Sequence, residues 1–99
     1  MLIPADSDLN SNAFSQPGLY KAATRPIAQS LTNCPATKVF LMHVEEITIE
    51  NTDTWVYIRR EIIEAGESCD SYHQYVQINK KTDTTTFGSW YKVSKELIT

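Results

Sequence analysis

Two stretches carry the fold: Trp55-Val56-Tyr57-Ile58-Arg59-Arg60-Glu61-Ile62-Ile63-Glu64 and Ser71-Tyr72-His73-Gln74-Tyr75-Val76-Gln77-Ile78-Asn79. Both are dense in the β-branched and aromatic side chains that suit a pleated, half-covered surface. In the second, Tyr72, Val76 and Ile78 fall on one face of an extended chain, and His73, Tyr75 and Gln77 fall on the other. Ala65 to Asp70, centred on Gly66, is a polar loop between them, so the two strands are expected to pair antiparallel.

Upstream, Val39-Phe40-Leu41-Met42 is apolar on both faces, while His43 to Glu50 mixes Val44, Ile47 and Ile49 with acids. That reads as a strand covered on both sides in its first half and wet in its second, with a candidate β-bulge at Glu45-Glu46. Asn51-Thr52-Asp53 has hairpin-turn chemistry. Downstream, Lys80 to Asp83 turns the chain into a fourth strand, Thr84 to Val93. Strict alternation puts Phe87, Tyr91 and Val93 on one side of it and Thr84, Thr86 and Trp90 on the other. Lys95-Glu96-Leu97-Ile98 reads either as a last helical turn or as a continuation of the edge strand.

The N-terminal third has a different character. Residues 1–18 are crowded with turn formers and read as an irregular arm. Residues 19–33 read as a helical segment, because Leu19, Ala22, Ala23, Ile27 and Leu31 give a partial 3.6-residue stripe. Pro26 is tolerated only in a first turn, so the cleaner helix covers 25–33 with Thr24 as its cap. The predicted fold is therefore α+β: a four-stranded antiparallel meander sheet over 38–93, with a short N-terminal helix and an irregular N-terminal arm. A chain of 99 residues, 41% of them apolar, has room for one core, so 1–99 is read as one small domain.

Charge limits the function classes. Residues 1–36 hold Asp6, Asp8, Lys21 and Arg25 and are neutral, so the net charge of −3 sits entirely in the sheet-forming part. Such a balance gives no global attraction to phosphate backbones, which disfavours nucleic acid as a partner. No run of apolar residues is long enough to span a bilayer, and the first twenty residues lack the pattern of an export signal. A soluble protein, no membrane partner and a cytoplasmic location are the resulting expectations. Cys34 and Cys69 would then remain thiols, whereas an oxidising compartment would allow them one disulfide.

Several residue groups bear on chemistry. His43 and Glu45, two apart on a strand, share a face, and with His73 they would make a minimal two-imidazole, one-carboxylate ligand set. Any half-exposed strand can present such a pair, so solvated or hydrogen-bonded side chains are the favoured reading, and no metal or cofactor is expected. Cys69, Asp70 and His73 group a thiol, a carboxylate and a base, yet nothing in the sequence supplies oxyanion donors, so no catalytic residue is assigned. The acids Glu45-Glu46, Glu61 and Glu64 lack a cleft. The basic groups Arg59-Arg60, Lys80-Lys81, Lys92 and Lys95 are interleaved with acids, and alternation parts Arg59 from Arg60.

The aromatic residues are the most informative. Phe40, Phe87 and Tyr91 read as core, while Trp55, Tyr57, Tyr75 and Trp90 are the candidate binding residues of a sheet surface. A helix of nine or ten residues is about 15 Å long and can shield one face of a four-stranded sheet at most. The other face needs a cover. The leading expectation is a non-catalytic protein-binding or regulatory module that self-associates as a homodimer, with a protein partner of unspecified identity. A carrier of a small apolar ligand is the first alternative, and a small metal- or thiol-dependent enzyme is the second.

Overall fold

The computed structural model describes residues 1–48, 53–67, 69–93 and 98. Within them lie six strands, β1 (Gly18–Ala22), β2 (Phe40–Glu46), β3 (Trp55–Glu64), β4 (Ser71–Asn79), β5 (Thr84–Phe87) and β6 (Tyr91–Lys92). A single short helix, α1 (Arg25–Ser30), and a 3₁₀ turn at Asn12–Phe14 complete the elements. The strands form one antiparallel sheet in the order β1-β2-β3-β4-β5, with β6 also on β4. Because β3 occupies the whole of one β4 edge, β5 and β6 follow each other along the opposite edge.

The expected meander is thus present, and β3 and β4 have the expected limits, but the sheet has six strands where four were read. One addition is β1, placed where a helical segment beginning at residue 19 was expected. Tyr20 and Ala22 point into the core while Leu19 and Lys21 face water, a period of two. The free edge of β2 supplies the hydrogen-bond partners, with Leu19 opposite His43 and Lys21 opposite Leu41. The helix starts as read: the Thr24 hydroxyl accepts from the Ile27 amide at 3.2 Å, and Pro26 lies in the first turn. It ends at Ser30, three residues short of the expected limit.

The second difference lies in the last strand. Val76 stands opposite Phe87, and His73 stands opposite Tyr91, so Gly88, Ser89 and Trp90 face only Gln74 and Tyr75. One extra residue against two is a β-bulge, and every side chain beyond it changes face. Trp90 is therefore turned to the covered side with Phe87, and Tyr91, expected in the core, lies on the open side, 59% exposed. At Glu45-Glu46, where a bulge was expected, the β2–β3 register runs unbroken from Phe40 opposite Glu64 to Glu46 opposite Ile58. The turn at Asn51-Thr52, the stretch Ile49-Glu50 and the segment Lys95-Glu96-Leu97 lie outside the described residues.

The N-terminal third forms a layer of its own. Met1 to Ile3 run parallel to β1, with the Ile3 amide donating to the Lys21 carbonyl and the Lys21 amide to the Met1 carbonyl. Ile3, Leu9 and Phe14 from the arm, Ala28 and Leu31 from the helical region and Ala36 are buried against Tyr20, Phe40, Met42, Ile58, Ile62 and Val76 of the sheet. Arm and helix cover the same face. The described residues span 20 Å along the shortest axis, room for two layers, and none of them covers the opposite sheet face.

Candidate functional site

The open face is an ordered grid because the registers of adjacent strands are continuous. One row crosses the sheet as Leu19, His43, Glu61, His73 and Tyr91. A second runs Glu45, Arg59, Tyr75, and a third runs Lys21, Leu41, Ile63, Ser71. Such neighbours are within side-chain reach, and several make contact. Arg59 Nη2 lies 2.9 Å from Glu61 Oε2, and His43 Nε2 lies 3.9 Å from Glu45 Oε2. The His73 ring sits 5.9 Å from Tyr91 and 6.2 Å from Tyr75. Large apolar or aromatic side chains remain in water across the grid: Leu19, Leu41, Ile63, Tyr75 and Tyr91 are all between 46% and 61% exposed.

Of the four aromatic residues singled out from the sequence, the structure places Trp55 and Tyr57 on β3 and Tyr75 on β4, all with the open-face parity. Trp90 is apart from them. Its ring lies over the Arg60 guanidinium on the covered side, and its indole N–H donates to the Asn33 carbonyl at 3.1 Å.

His43, Glu45 and His73 do share the open face, but Glu61 stands between the imidazoles, whose strands are about 10 Å apart. Among the described residues no three His, Cys, Asp or Glu side chains are grouped to hold a metal ion. Cys34 and Cys69 are not joined in a disulfide. Burial pushes the Cys34 thiol up, and its sulfur is 3.5 Å from the Ala36 carbonyl. Cys69 donates to the Gly66 carbonyl at 3.2 Å in the loop before β4, while the ring of His73 is turned to its two tyrosines.

The most heavily engaged polar residue is Arg60, fully buried between Ile58 and Ile62. Its Nε donates to Gln74 Oε1 at 2.9 Å, and Nη1 donates to the carbonyls of Leu9 and Phe14. Phe87 and Trp90 lie 5.1 and 5.3 Å from the guanidinium carbon. Gln74 passes the network on, donating to the Gly88 carbonyl at 2.7 Å. These acceptors are all neutral, and burial lowers the guanidinium to about 10 against the opposing pull of the Asp8 carboxylate. The sequence grouped Arg60 with surface cations. Its parity with Ile58 and Ile62 was the available signal, since alternation places it on the face those residues bury.

Farther along that face the buried Glu64 lies near the half-buried Tyr72. The Glu64 carboxylate beside the Tyr72 phenol, together with burial, pushes the phenol up to about 12. The Arg60 network ties the sheet to its cover, and among the described residues the open face has no such structural task. In comparisons with protein-family models, curated proteins and solved structures, the chain matches none.

Proposed function

We propose that the chain is a non-catalytic protein-binding module whose open sheet face docks against the same face of a second copy. The observation behind this reading is the one-sided cover: arm and helix are both used on one face, while Leu19, Leu41, Ile63, Tyr75 and Tyr91 stand half-exposed on the other. Trp55 and Tyr57 extend that surface along β3. Five strand positions at ~4.8 Å are about 24 Å wide, and central strands of seven to ten residues run ~24–34 Å. Each copy thus offers roughly 600–800 Å², and two copies reach the ~1,200–2,000 Å² of a stable interface. Within the strands the face carries Lys21 and Arg59 against Glu45 and Glu61, so two neutral faces meet without net repulsion.

Light scattering between 1 and 100 μM tests this. The expected result is a mass rising with concentration toward twice 11.2 kDa, and Tyr75→Lys shifting the rise to higher concentration while remaining folded. A constant monomer mass over the whole range removes the reading.

A further inference from the structure

At one corner of the open face lies a cavity of about 360 Å³, within the range of small-molecule sites. Leu41 and Ile63, neighbours across β2 and β3, are the apolar strip of the open face that enters its lining. Val39 and Phe40 border it, and the segment after β3 closes it with Ala65 and Cys69. The Ala65 amide donates to the Val39 carbonyl at 2.7 Å, which fixes that wall to the start of β2. Charge enters from one side only. Lys21 on β1 is in register with Leu41, is exposed, and makes no ion pair among the described residues. Glu64 also borders the cavity, but its side chain has the parity of the covered face and is buried there with Ile62 and Arg60.

A cation and two half-exposed aliphatic side chains in one cross-strand row, with a small-residue wall beside their far end, describe an amphipathic anion. From β1 to β3 is two strand spacings, about 10 Å, which limits the apolar part to a chain of medium length. We infer that this corner binds a free medium-chain carboxylic acid, its carboxylate at Lys21 and its alkyl chain across Leu41 and Ile63 toward Ala65 and Cys69. The inference does not rest on self-association: Lys21, Leu41 and Ile63 also lie on the face proposed to meet a second copy, so decanoate and that copy compete for them, and the titration is run at a concentration where light scattering gives the monomer mass.

Decanoate is the probe, titrated into the full chain and followed by two-dimensional amide NMR and by calorimetry. Saturable binding below about 1 mM is expected, with shifts concentrated at residues 21, 39–41, 63–65 and 69. Removing the cation with Lys21→Gln should weaken binding about two- to fivefold, as expected for one exposed ion pair. Leu41→Thr with Ile63→Thr should weaken it about tenfold or more, and both residues are exposed enough for the fold to tolerate the change. Bound decanoate should also slow alkylation of Cys69 by iodoacetamide in a Cys34→Ser background. The inference is overturned if no saturation occurs, if decylamine binds as tightly as decanoate, or if Lys21→Gln and the double threonine variant bind like the parent.

Discussion

Adjacent arginines on one strand have opposite fates, and the difference is set by parity. Arg59 lies on the open face, bonded to Glu61 with its side chain 36% exposed, whereas Arg60 is at 0% and bridges β3 to the arm through the Leu9 and Phe14 carbonyls. At neutral pH Arg60 keeps its proton, since burial lowers it only to about 10. The unfolded chain holds that proton to a higher pH, so the desolvation cost is carried in full below about pH 10 and relaxes only above it. That cost is offset by hydrogen bonds that an alanine would leave unpaired. Arg60→Ala is therefore expected to destabilise by about 3 kcal/mol or more, and Arg59→Ala by no more than about 1 kcal/mol. Urea unfolding of the two variants measures this, and equal midpoints would contradict the assigned role of Arg60.

At the scale of elements, β3 and β4 were legible because ten and nine residues of alternation leave little ambiguity of period. β1 was not, since a five-residue strand has only two inward side chains, Tyr20 and Ala22, and the stripe Leu19-Ala22-Ala23 competes with them. The bulge between β5 and β6 has the largest consequence. It exchanges Trp90 with Tyr91 and lets Trp90 cap the Arg60 network. Its geometry depends on Gly88, whose amide donates to the Tyr75 carbonyl at 3.0 Å and where an added Cβ would lie 2.9 Å from that same oxygen. Gly88→Ala should cost about 1–3 kcal/mol, against less than about 0.5 kcal/mol for the exposed Ser89→Ala. Thermal unfolding of both proteins checks this, and an unchanged midpoint in Gly88→Ala would mean that the bulge accepts a side chain.

For the molecule as a whole, the arm is half of a two-layer structure. Deleting residues 1–14 removes Ile3, Leu9 and Phe14 together with two of the acceptors of Arg60, and uncovers the second sheet face. The expected product binds 8-anilinonaphthalene-1-sulfonate and unfolds without a cooperative transition. Cooperative unfolding at the parent midpoint would show instead that the sheet stands without its arm. The sequence by itself determined the limits of β3 and β4 and their antiparallel order, because alternation and turn chemistry are local properties of the chain. It also indicated that one short helix could cover only one face. Only the tertiary structure decided that the arm joins the helix on that same face. It also decided that Trp90 leaves the aromatic surface, and that Arg60 is a core residue held by carbonyls 46 and 51 positions away in sequence. The physical reason is the same in each case. A residue's face depends on register accumulated along the sheet, and a buried charge persists only where distant backbone supplies its partners.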